Sequence, residues 1–167
     1  MTDLAHLIPS AKMLIDLCRS HGLKIATAES CTGGLIAATL TEIPGSSEVI
    51  DRGFVTYSNQ AKIDLLDVPE PILNDPAIGA VSQETAHAMA QGALQYSEAH
   101  LVVAVTGIAG PGGGSLHKPV GLVHFAAVRR GRDIIHREQR FGDIGRSEVR
   151  LATVREALGM LDALARG

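Results

Sequence analysis

The sequence predicts an α/β fold in which helices and strands form layers around a mixed, mostly parallel sheet, in one domain spanning residues 1–167. Three observations carry that prediction. Segments with apolar residues at helical spacing alternate with short β-branched runs, as in βα units. Two strand-like runs then follow one another near the C-terminal end, which makes the sheet mixed. No internal repeat or linker divides the 167 residues, a length suited to one hydrophobic core.

The elements follow in order. Leu4, Leu7, Ile8, Ala11, Leu14, Ile15 and Cys18 recur at helical spacing. Proline is tolerated only in a first turn, so this helix starts near Pro9 and ends at Gly22. Lys24 to Glu29 reads as a short strand and Gly34 to Thr41 as a helix. After the turn Pro44-Gly-Ser-Ser47, Val49 to Ser58 reads as a strand, and Asn59 to about Leu66 as a helix. Val68 to Gly79 carries three of the seven prolines and is expected to be mostly loop. Ser82 suits the N-cap of a helix running to about Tyr96. Leu101 to Thr106 reads as a buried strand, and Gly107 to Pro119 as a glycine-rich loop. Val120 to Arg129 and Asp133 to Phe141 form a strand pair turning near Arg130-Gly131. A last helix from about Arg146 sets Leu151, Val154, Leu158 and Leu161 on one face.

Composition narrows the function classes. The chain is 46% hydrophobic and 20% charged, ordinary for a soluble globular protein. Aromatic residues make up only 3% and tryptophan is absent, so the core is built from Ala, Val, Leu and Ile. A net charge of −3 supplies no basic field for nucleic acid. The two cysteines, Cys18 and Cys31, are too few for a disulfide framework. No basic stretch followed by an apolar one opens the chain, and the densest apolar run, Leu101 to Val105, is too short to span a bilayer. The expectation is a cytoplasmic protein with no membrane partner.

The chemistry clusters at the ends of three strands. In open α/β sheets ligands bind beyond the carboxyl ends of strands. The first strand delivers Ser30-Cys-Thr-Gly-Gly34, the second Tyr57-Ser-Asn59 with Lys62 one turn later, and the third Thr106 and the loop 107–114. Gly33 and Gly34 let backbone N–H groups approach an anion or a developing oxyanion at a helix start. Serine needs a base to remove its proton. Lys62 sits in a first turn, where the helix dipole disfavours an ammonium. Burial would lower its pKa further, and serine with lysine is a variant of the triad logic. Tyr57 is placed to relay a proton or to hold the lysine. Taken singly these features have ordinary explanations: a cap and tight turn, a solvated lysine, a flexible loop. Their convergence at one edge favours a site.

Other motifs fall away. Ser30 lacks a G-x-S-x-G elbow, and loop 107–114 lacks both the G-K-[ST] ending and the dinucleotide fingerprint. Ser115-Leu-His-Lys118 matches S-x-x-K by chance, since no K-T-G follows. The seven histidines contain no H-x-x-x-H pair and no accompanying cysteine, so no metal site is expected. His117 and His124 are candidates to meet in space, with a surface or core role as the default. Cys31 reads as packing beside the turn.

The quoted stretches form a recognisable set. Thr27-Ala-Glu-Ser-Cys-Thr-Gly-Gly34, Gly53-Phe-Val-Thr-Tyr-Ser-Asn59 with Lys62, Gly79-Ala-Val-Ser82, Gly107-Ile-Ala-Gly-Pro-x-Gly-Gly-Ser115 and Lys118-Pro-Val-Gly121 resemble the CinA C-terminal-domain family over nearly the whole chain. That resemblance implies a three-layer α/β/α sandwich like anticodon-binding domains, usually a homodimer, with no room for the N-terminal domain of longer CinA proteins. It implies hydrolysis of nicotinamide mononucleotide to nicotinate mononucleotide and ammonia, in pyridine nucleotide recycling, without metal or cofactor. The family's serine nucleophile falls on Ser30, its lysine on Lys62 and its assisting tyrosine on Tyr57. Its substrate-contacting arginine falls on Arg146, with Arg150 as the rival one turn later. Thr32, Gly33, Gly34, Thr106, Gly107, Gly110 and Gly112 are the remaining candidates for substrate contact, with the loop that takes the phosphate left open. Glu29 either orients Lys62 or ends its strand. A non-catalytic nucleotide-binding or regulatory module, or an amidase for a related amide, are the alternatives.

Overall fold

The computed structural model describes residues 2–167. Helix α1, Ile8–His21, carries Pro9 in its first turn and stops at Gly22, whose φ of +64° lies in the left-handed region. Strand β1, Ile25–Glu29, is buried throughout and leads to α2, Leu35–Thr41. Strand β2 is shorter than the sequence pattern suggests, Ile50–Val55, and leads to α3, Asn59–Leu66, capped by the Ser58 hydroxyl. The proline-rich stretch expected as loop contains a single helical turn, α4, Glu70–Asn74. Its Pro71 lies in the first turn, where no N–H is needed. Helix α5, Gln83–Gln95, is capped by Ser82. Strands β3, Leu101–Gly107, β4, Leu122–Arg129, and β5, Ile135–Arg140, precede α6, Arg146–Arg166.

The strands form one sheet in the order β2-β1-β3-β4-β5. β1 pairs parallel with both β2 and β3, while β4 runs antiparallel to β3 and β5. Four of the five strands therefore point the same way, in a mixed sheet. Alternating residues build two cores. Ile25, Leu101, Val103, Val105, Val123 and Phe125 meet α1, α2 and α6 on one face. Ala26, Ala28, Val102, Ala104 and Ala126 meet α5 and the chain around α3 and α4 on the other. The result is three layers, helices on both faces. Among the described residues no helix is long and apolar enough to cross a membrane.

This topology locates the crevice. The chain leaves β1 through α2 toward β2 on one side. It then returns through α3, α4 and α5 to β3, on the other side of β1. The carboxyl ends of β1 and β3 flank that change of direction, where an open sheet leaves a gap.

Helix α3 is held in register by α5. A Cβ at Gly92 would meet the backbone of Leu66, the last residue of α3. Gly92→Ala therefore forces two helices apart although alanine is the better helix former, by about 1 kcal/mol. The expected net effect is a loss of about 1–3 kcal/mol from overpacking, read as a lower urea midpoint with an unchanged slope.

Candidate active site

The sheet ends where the reactive side chains begin. Ser30 N–H donates to Val105 O (3.1 Å) and Thr56 N–H to Glu29 O (2.9 Å), so both ladders extend one residue past β1. Ser30 is thereby fixed at the crevice with 8% of its surface exposed. Lys62, one turn into α3, is only 1% exposed. Its Nζ lies 3.0 Å from Ser30 Oγ and donates to Thr56 O (2.8 Å) and Tyr57 O (3.3 Å). Burial pushes the lysine down from 10.5 to about 8. The tyrosine holds the lysine through its backbone carbonyl, not its phenol.

These groups open onto a cleft of about 210 Å³. Ser30, Tyr57, Lys62, Thr106, Gly107 and Arg146 all line it. Cys31, Asn59, Ala80, Val81 and Ala109 complete the wall. Ala80, Val81 and Ala109 fall in the quoted stretches 79–82 and 107–115 but are not among the individual site candidates, because small apolar residues carry no chemical signal. Thr106 Oγ1 donates to Ala80 O (2.7 Å), tying β3 to the segment before α5. Arg146 spans the mouth, donating to Gly110 O (2.8 Å) and to the Tyr57 hydroxyl (3.0 Å).

Thr32, Gly33, Gly34, Gly110, Gly112 and Arg150 lie outside the lining. The helix start that the sequence reading reserves for substrate charge is occupied by Glu29. Its carboxylate is 1% exposed and accepts from Thr32 Oγ1 (2.6 Å), Ile36 N (2.8 Å), Ala37 N (3.1 Å) and Thr27 Oγ1 (3.4 Å). A full negative charge thus sits on the positive end of α2. Gly33 N–H is also engaged, donating to Ser30 O (3.1 Å). Glu29 makes no bond to Lys62; it anchors the loop that carries Ser30. Arg150 grips the same loop from α6, donating to Cys31 O (3.2 Å) and Thr32 O (3.0 Å).

The remaining candidates have structural roles. Burial pushes the Cys31 thiol up to about 12, so it packs as a neutral group. His124 meets His136 rather than His117, with Nδ1 and Nε2 2.9 Å apart and the rings stacked. Ser115 Oγ accepts from Lys118 N (3.1 Å), and Lys118 Nζ reaches Ile78 O, so that pair staples a loop. Among the described residues no three His, Cys, Asp or Glu side chains are grouped to hold a metal ion. A groove of about 240 Å³ between β5 and α6 contains no nucleophile.

Comparison with known proteins agrees with this fold. Residues 8–165 match the family described as the CinA C-terminal domain. A CinA-like protein of Akkermansia muciniphila is 50% identical over 142 residues, 84% of this chain and 34% of that protein. A CinA-like protein of Synechococcus is 48% identical over 153 residues, 90% of this chain and 36% of that protein. The chain thus spans about a third of the length of these curated relatives. Among solved structures, the competence/damage inducible protein CihA of Agrobacterium tumefaciens is 59% identical, with a TM-score of 0.91 over 94% of each chain. A CinA superfamily protein of Klebsiella pneumoniae is 32% identical, with a TM-score of 0.87 over 95% of this chain and 97% of that one.

The Glu29 network makes a stability prediction. Glu29→Gln removes the charge from the α2 terminus and is expected to cost about 2 kcal/mol. Glu29→Ala leaves buried donors unpaired and is expected to cost about 3–5 kcal/mol. Urea unfolding of the two variants beside wild type checks the order and the size.

Proposed function

The chain is a member of the CinA C-terminal domain family, and on that footing we propose that it is an amidohydrolase acting on nicotinamide mononucleotide. The observation that carries the reading is the buried Lys62–Ser30 contact. A neutral amine has two N–H donors and one lone pair. The two N–H groups are matched by the Thr56 and Tyr57 carbonyls, which leaves the lone pair for the Ser30 hydroxyl. Binding alone gains nothing from a base held beside a serine, whereas acyl transfer requires one.

The steps follow from that geometry. Lys62 takes the Ser30 proton as Oγ attacks the carboxamide carbon. Cys31 lines the cleft and its N–H donates to no backbone carbonyl among the described residues. It replaces Gly33 as donor to the oxyanion. The lysine returns its proton to the leaving nitrogen and ammonia departs from the acyl-serine. Water, activated by the same amine, then releases the carboxylate and restores the Ser30 hydroxyl. Arg146 already binds the Tyr57 oxygen through Nη2, so the phenol keeps its own proton to donate near the leaving group. No carboxylate pairs with Arg146 among the described residues, and its position at the mouth suits the 5′-phosphate. Thr106 and Gly107 contact the sugar side of the substrate. The cytoplasm is the compartment proposed, where Cys18 and Cys31, both free and buried, stay reduced. A homodimer is the proposed working form, to be tested by sedimentation velocity.

Four outcomes test the reading. Wild-type protein should release ammonia from nicotinamide mononucleotide, and Ser30→Ala should reduce the rate by at least about 1,000-fold. A folded Ser30→Ala protein that keeps its activity would sink the assignment. Thermal stabilisation by the nucleotide without ammonia would favour the binding module, and a panel of related amides would identify another substrate. The lysine also sets the pH dependence. Its base form fills as pH rises through about 8, so kcat/KM should climb with pH and reach half its plateau there. Its folded pKa lies below the unfolded 10.5. The unfolded chain therefore binds the proton more tightly, and wild-type stability should rise from about pH 8 to 10.5. Lys62→Met should abolish activity yet raise stability near pH 7 by about 2 kcal/mol, since each pKa unit is worth roughly 1.4 kcal/mol before the lost hydrogen bonds are subtracted. Chemical unfolding across pH 6–10 checks both signs.

A further inference from the structure

We propose that Arg150 is a positioning residue for Ser30, orienting and polarising the Ser30–Cys31 peptide from behind the cleft while touching no part of the substrate. The inference rests on Ser30 being the nucleophile.

Two arginines lie one turn apart on α6 and do different things. Arg146 lines the cleft. Arg150 does not, and instead spends two adjacent N–H groups on the consecutive carbonyls of Cys31 and Thr32. No carboxylate pairs with it among the described residues, so no ion pair draws its charge away from the loop. A trans peptide directs its N–H opposite its C=O. Holding Thr32 C=O therefore fixes the direction of Gly33 N–H, which donates to Ser30 C=O at 3.1 Å. Holding Ser30 C=O in turn fixes Cys31 N–H, which belongs to a cleft-lining residue and donates to no backbone carbonyl among the described residues. The guanidinium thus begins a hydrogen-bonded series of peptides that ends on the donor available to the oxyanion. Each bond in such a series polarises the next. Cys31 C=O, taken by Nε of the same guanidinium, pins the middle of the turn. Glu29 anchors the loop from the opposite side through Thr32 Oγ1, so the turn is held at both flanks. A lysine ammonium is a point charge on a flexible stem and does not reproduce the fork.

The experiment compares wild type with Arg150→Met and Arg150→Lys on two amides, nicotinamide mononucleotide and phosphate-free nicotinamide riboside. A fluorophosphonate that labels Ser30, followed by mass spectrometry, supplies an acylation rate that needs no natural amide. Rates are expressed per labelled serine, so partial unfolding does not mimic the effect. The expected result is a fall in kcat of about 100-fold on both amides, the size of losing one oxyanion donor. KM should stay within about threefold, acylation should slow in parallel, and Arg150→Lys should recover little. Loss confined to the phosphate-bearing amide, or seen as a raised KM with kcat retained, makes Arg150 a substrate contact and overturns the inference. Full activity in Arg150→Lys overturns it as well. Wild type that hydrolyses neither amide, with labelling still slowed in Arg150→Met, overturns the substrate and keeps the inference. Wild type with neither hydrolysis nor Ser30 labelling overturns both.

Discussion

Placing an amine beside a serine out of reach of water is the constraint on which the rest of this structure depends. At 1% exposure Lys62 is disfavoured as an ammonium and has no acidic partner among the described residues, where its hydrogen-bond partners are two carbonyls and one hydroxyl. Burial brings its pKa down to about 8, so the neutral form, the base the proposed chemistry needs, fills as pH rises through that value. The cost falls on the fold. Ser58 must cap α3 immediately after β2, so that the fourth residue of the helix reaches back to the end of β1. Helix α5 must come close enough to press α3 down, which Gly92 permits. The alanines on that face of the sheet and on α5, among them Ala26, Ala28, Ala104, Ala86, Ala90 and Ala93, serve the same close approach.

The Ser30 loop is stabilised by two opposite charges that never meet. Glu29 binds N–H groups of α2 and the Thr32 hydroxyl, and Arg150 binds carbonyls of the same turn. Each ion is satisfied by backbone dipoles of the sign it needs. Paired directly, they would neutralise one another and leave the turn free. Held apart, they define its path from Ser30 to Leu35. The positive end of α2 is consequently committed to the protein's own carboxylate, and the cleft draws its positive charge from Arg146 at its mouth. The proposed chemistry and the stability share the loop, so both are expected to respond to the same substitutions.

Much of the fold was legible. Apolar spacing marked α1 and α6, the Ser82 cap marked α5, and Gly22 stood at the helix end its chemistry favours. The convergence of three strand ends on one cleft was legible too, because parallel strands feed their following loops to one edge. Where the reading departed from the structure, the cause was partnership across distance. Nothing in the string around Glu29 says whether its carboxylate turns to Lys62 or to α2. The single turn α4 was hidden by prolines that a first turn accepts without loss.

The sequence by itself determined which residue types sit where along each element, because propensity, capping and periodicity act within about one helical turn. It determined Ser30, Lys62 and Tyr57 as a chemical set, but not their contacts. Tertiary structure decided that the Tyr57 carbonyl, not its phenol, holds the lysine, and that Arg146 faces the cleft while Arg150 faces the loop. Those choices join groups 5, 89 and 118 residues apart. At the longer separations no local preference operates, and only the packing of α6 and α3 against one sheet brings the atoms within hydrogen-bond range.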